Sequence, residues 1–188
     1  MLRRRRDPEP PPPPPDPLGH VDPAGAPRRF AGAVAAALDA RDRYAAVVAG
    51  TRPGPVRDQL VAVGARLDAG VDAVWDTALR AGEVERTLAA LGPERVTDEY
   101  KQAKRSGADP ELTEVLAQRF TSVQRLLNSL DDTEERLRLL DARLGAAVAR
   151  AAEVALSAGP GDAAAVGAEL DGVLGDLTAL STALDELR

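Results

Sequence analysis

Between Pro110 and Pro160 the chain contains no proline, and Gly145 is its one glycine before Gly159. No other feature limits the fold as strongly, because an uninterrupted stretch of helix formers leaves the backbone few alternatives to one long helix. Within it Leu116, Val123, Leu130, Leu137, Leu144 and Ala151 fall seven residues apart. A second apolar row accompanies this ladder and changes sides midway. Phe120 and Leu127 lie four residues after their ladder partners, whereas Leu140, Ala147 and Val154 lie three after theirs. Continued in its first spacing, the row would run into Glu134 and Asp141. A helix whose second row moves around its surface meets different neighbours along its length. The spacing therefore predicts a spine over 110–158. At ~1.5 Å per residue it would be about 73 Å long, against about 40 Å for a compact globule of this size.

The rest of the chain is cut at regular intervals. Arg52-Pro53-Gly54-Pro55, Gly92-Pro93, Gly107-Ala108-Asp109-Pro110 and Gly159-Pro160-Gly161-Asp162 each combine a helix stop with a helix start. Asp109 and Asp162 are N-cap acceptors, and Pro110 stands where its missing N–H is harmless. Helices are expected near 27–49, 55–91, 97–105, 110–158 and 162–187, the short one beginning at Thr97. Val56, Leu60, Val63, Leu67, Val71 and Val74 open a single stripe on the second helix. Val166, Leu170, Val173, Leu177, Leu180, Leu184 and Leu187 alternate steps of four and three on the last, a coiled-coil-type seam. The first helix is weaker, because Arg41 interrupts its stripe. Short connections then predict an all-α, elongated antiparallel bundle in which the last helix returns along residues 133–158 of the spine. Residues 80–130 would form a thinner extension.

Eight of the ten residues from Pro8 to Pro17 are proline. Such a segment lacks donors and cannot build a core, so residues 1–26 read as a disordered, Arg- and Pro-rich tail preceding the bundle at 27–188. The tail is either a docking ligand for an aromatic-lined groove or a spacer. Arginine, alanine and proline are abundant and only Lys101 and Lys104 are lysine, a bias that a GC-rich genome writes by default.

The residue types argue against chemistry. Cysteine is absent, which removes disulfides and thiolate sites. The single histidine, His20, falls in the tail without an evident partner, so a general base or an inward Glu-x-x-His metal pair is not expected. The acidic cluster Asp131, Asp132, Glu134 and Glu135 reads as a solvated face carrying i,i+4 pairs with Arg136 and Arg138. No catalytic, metal or cofactor site is expected, and no small-molecule substrate. The formal net charge of −6 disfavours nucleic acid as a partner, and Tyr100, Lys101, Lys104 and Arg105 are too few for a binding patch. No stretch approaches the ~18 consecutive apolar residues of a membrane span, so a cytoplasmic location is the default.

Two surfaces are left as candidates. Leu112, Leu116, Phe120, Val123 and Leu127 face little beyond the end of the second helix, and would form a patch for a partner protein or a second copy. Cover by Val84, Leu88, Leu91, Val96 and Tyr100 is the alternative. Arg3, Arg4, Arg5 and Arg6 could touch an anionic membrane surface, as a weak, salt-sensitive contact. The expected role is thus a non-catalytic helical interaction or scaffold protein, with a peripheral membrane protein as the second reading.

Overall fold

The computed structural model describes residues 16–157 and 162–187, so Arg3–Arg6, most of the proline run and the Gly159-Pro160-Gly161 break lie outside the described residues. The described chain is all helical: α1 (Ala31–Gly50), α2 (Pro55–Leu91), α3 (Pro93–Ser106), α4 (Pro110–Ser157) and α5 (Asp162–Asp185). The α4 N-terminus is capped as its sequence predicts: Asp109 Oδ1 accepts from the N–H groups of Glu111 at 2.8 Å and Leu112 at 3.4 Å. Two boundaries move. Gly92 is left-handed at φ 64°, and Pro93 restarts a helix at once, with Val96 N–H bonded to Gly92 O. α3 therefore begins four residues before Thr97, whose hydroxyl donates back to Pro93 O at 2.8 Å instead of capping. α1 begins at Ala31 because Pro27–Phe30 forms a turn, closed by Phe30 N–H on Pro27 O.

Cross-helix pairs fix the directions. Arg41 reaches Asp68 while Tyr44 reaches Leu60, so α1 and α2 are antiparallel. Arg66 pairs with Asp171 and Arg80 with Asp185, a constant offset that makes α5 parallel to α2. Arg143 pairs with Asp176 and Arg150 with Glu169, so α5 is antiparallel to α4. α2 and α4 form the central pair, with α1 and α5 on opposite sides of it and not touching each other. The expected return of the last helix along the spine is thus joined by a second contact, with α2. Beyond the four-helix section α3 packs on α4, Tyr100 stacking on Phe120 with centroids 5.0 Å apart.

The two hairpins, α1–α2 and α4–α5, share sequence at matching places. Leu38-Asp39-Ala40-Arg41 recurs as Leu140-Asp141-Ala142-Arg143, and residues 62–68 (AVGARLD) recur as 165–171 (AVGAELD) with one difference. The correspondence extends to packing in the second helix of each hairpin only. Val63, Leu67 and Val74 of α2 and Val166, Leu170 and Leu177 of α5 are all buried. The first helices differ: at the offset of the shared motif the buried Ala37, Ala40 and Tyr44 of α1 fall on the exposed Leu139, Ala142 and Ala146 of α4, although α1 packs beside α4 and α2 beside α5.

The tail boundary needs correction. Residues 16–30 form a strap packed on the bundle, with Leu18 and Val21 in the core. Asp16 accepts two bonds from Arg41, at 2.7 and 3.1 Å, and Arg41 also donates to Asp68. His20 Nε2 lies 2.7 Å from Asp72 Oδ1, so the histidine has a partner after all. Pro27 presses on Gly82, where any Cβ would collide with its ring. Composition obscured this because two apolar side chains and a few carboxylates suffice to seat a segment otherwise rich in proline and glycine. Asp16 and Asp22 fold it locally, accepting from the N–H groups of Leu18 and Ala24.

Candidate interaction surfaces

The apolar patch expected on the N-terminal half of α4 is largely taken up within the chain. Val123 is a core residue at 1 % exposure, which removes it from any surface. Phe120 and Leu127 are half-buried against the core cluster, and Leu116 is half-buried. The cover comes from the alternative set: Val84, Leu88 and Val96 are buried over this region and Tyr100 stacks on Phe120. What remains open is Leu112 with Val115, a neighbour the heptad ladder did not single out.

The charged candidates are also engaged. Arg29 Nε donates to Glu134 Oε2 at 2.8 Å and its Nη2 reaches Asp131, tying the strap to α4, and Arg138 pairs with Glu134. Desolvation, the largest influence on Arg29, is outweighed by these two carboxylates, which hold its guanidinium above the usual value. Asp141 lines a cavity of about 270 Å³ with Arg29, Phe30 and Leu137. Among the described residues no group of three or more His, Cys, Asp or Glu could hold a metal ion. Tyr100 is spent on helix packing, and Lys104 lies over its ring at 5.7 Å. No helix among the described residues is long and apolar enough to cross a membrane.

A further exposed stripe lies on the outer face of α4. Glu135, Leu139, Ala142, Ala146, Ala149, Glu153 and Leu156 are all exposed and alternate steps of four and three. They stand opposite the buried row Leu137, Leu140, Leu144, Ala147, Ala151 and Val154. Leu139 is 52 % and Leu156 89 % exposed. Each end opens onto a groove: about 260 Å³ beside Leu139, with Arg136, Asp176 and Ala179, and about 620 Å³ beside Leu156, with Thr51, Pro53 and Val56. Neither holds a convergent set of titratable side chains of the sort that catalysis requires. Sequence reading missed this face because five of its seven positions are alanine or glutamate, which do not register in a search for large apolar side chains. The signal was the seven-residue spacing itself.

No protein-family model, no curated protein and no solved structure matches this chain.

Proposed function

We propose that this chain is a non-catalytic helical interaction protein, a rigid cytoplasmic scaffold that engages a protein partner or itself through an outer helix face. The observation that carries the reading is the outer face of α4: a sustained four–three stripe, bracketed by two exposed leucines, on a helix whose opposite face is already buried. Exposed leucines scattered singly are ordinary on soluble proteins; these two share one helical stripe through Ala142, Ala146 and Ala149, and so offer a partner helix a single face. The structure supports scaffolding in a second way, since α4 alone spans about 72 Å and separates what binds at its two ends.

The test is crosslinked capture from the native cell with the full chain as bait, against the variant Ala146→Glu, which alters the stripe and no buried side chain. Loss of a specific partner, or of self-capture, supports the reading. An identical catch with both baits, and with Leu112→Glu, removes it. The competing role, recruitment to an anionic bilayer by Arg3–Arg6, is separated by flotation with phosphatidylserine vesicles at low and high salt.

A further inference from the structure

We infer that the open groove between α1 and α2 is the seat of the chain's own proline run, Pro10–Pro15, which lies outside the described residues and adjoins the strap. Neither the outer face of α4 nor the interaction role enters into this.

The groove continues a track that the strap already follows. Asp16 shares Arg41 with Asp68, His20 bonds Asp72, Gly25 lies beside Trp75, and Pro27 presses on Gly82. The strap therefore runs parallel to α2, its residue numbers rising with those of the helix. Followed backwards from Asp68, the same row of α2 continues through Gly64, Val61 and Arg57 in steps of four and three. These three line an open groove of about 560 Å³, whose other wall is Ala45, Val48 and Ala49 of α1. One end of the groove is formed by Arg41 and Asp68 themselves. Asp16 thus stands at its mouth, and the residues just before Asp16 are the prolines.

Chemistry, length and charge all select this occupant. A proline run brings no N–H donors, so a groove walled by alkyl groups leaves none of its donors unsatisfied. Its rings fit where the wall side chains are small, and Ala45, Ala49, Gly64 and Ala65 provide that. The strap already makes such a contact, Pro27 on Gly82, and Gly82 stands five helical turns beyond Gly64 on the same side of α2. From Asp68 back to Arg57 the helix covers about 17 Å at ~1.5 Å per residue. Six prolines in polyproline II cover about 19 Å at ~3.1 Å per residue, so the run fills the groove from end to end. The run is flanked by Glu9 and Asp16, and the groove by Arg57 and Arg41. Asp16 is already on Arg41, and Arg57, which has no carboxylate partner among the described residues, is left for Glu9. Seated this way the run covers Val61, which is 57 % exposed, and is withheld from the aromatic-lined grooves of other proteins.

Because the chain lacks cysteine, two introduced cysteines in the full chain read the contact directly. Pro12 is expected about 12 Å along the run from Asp16, level with Val61. At low protein concentration under mild oxidant, Pro12→Cys with Val61→Cys should close an intrachain disulfide about tenfold faster than Pro12→Cys with Ala46→Cys. Ala46 is exposed at a similar height on α1 but does not line the groove. Circular dichroism of the reduced variants confirms that each keeps its helices. Equal closure rates for the two pairs overturn the proposal and leave the groove to a foreign segment. A 12–61 disulfide that joins two chains and grows with protein concentration overturns it as well, assigning the groove to the proline run of a second copy.

Discussion

Arg41 shows how one side chain can be misread from sequence and why. On the α1 stripe it is a charge among alanines, which weakens the expected helix. In the folded chain it is the clasp of the strap, held by Asp16 and Asp68 at once. Sequence spacing cannot reveal this, because Asp16 and Asp68 are distant along the chain and only the fold brings them to one guanidinium. The backbone N–H of Leu18 and then Arg41 hold the Asp16 carboxyl below its ordinary value of 3.8. The sign follows from that direction. A carboxyl depressed in the folded state favours folding above its unfolded value, and the contribution is lost as pH falls through the lower, folded value. The strap is therefore expected to loosen below about pH 4. Trp75, the sole tryptophan, lies beside Gly25 of the strap and reports the change as a red-shifted emission. Arg41→Ala should show that shifted emission already at neutral pH with its helical circular dichroism retained; unchanged emission in the variant would mean that Leu18 and Val21 hold the strap unaided. Tyr44 is a contrasting case: buried, with its hydroxyl donating to Leu60 O, its phenol is pushed up to about 12, so it stays protonated throughout.

Among the elements, α4 was the most legible in the sequence and α3 the least. The α4 ladder repeats through seven-residue steps, and Leu130, Leu137, Leu144 and Ala151 are all buried as that spacing requires. Its changing second row is also real: Leu140, Ala147 and Val154 are core, while Phe120 and Leu127 meet α3 and the end of α2. α3 begins four residues before Thr97, because a left-handed glycine followed by proline both ends α2 and starts the next helix. These contrasts set two expected effects on stability. Asp109→Ala removes one exposed cap and should cost about 1 kcal/mol. Leu137→Asp loses about 1.5–3 kcal/mol of burial and adds the larger cost of an unpaired charge in the core. Against a total of roughly 5–15 kcal/mol, that is enough to unfold the bundle. Thermal melts followed by circular dichroism check both, and a Leu137→Asp chain that keeps its helicity and Tm would contradict the packing.

At the scale of the whole molecule, stability is graded along the spine. Through its C-terminal half α4 packs against α1, α2 and α5, whereas its N-terminal end packs on α3, with Tyr100 on Phe120, and on the end of α2. Buried residues follow the same gradient: α3 contributes Val96 and Ala103, and α4 buries nothing before Val123. The sequence implied this thinning, since the chain has too few helices to surround so long a rod. The motifs that the two hairpins share are hard to see in it, because they are short and rich in the residues that the composition favours everywhere. Free energies of local opening follow the density of buried apolar contacts. Amides of α3 and residues 111–122 should therefore exchange with deuterium by local opening, while those around Leu67, Leu144 and Leu170, all fully buried, exchange near the global limit. The α4 outer face adds a discriminating detail. If a partner protein or a second copy docks on this face, protection of residues 139–156 rises with its concentration while protection of residues 111–122 stays constant. A rise confined to residues 111–122 would move the docking face to the Leu112–Val115 end of the rod, and uniform exchange along α4 would show that the extension is held as firmly as the bundle.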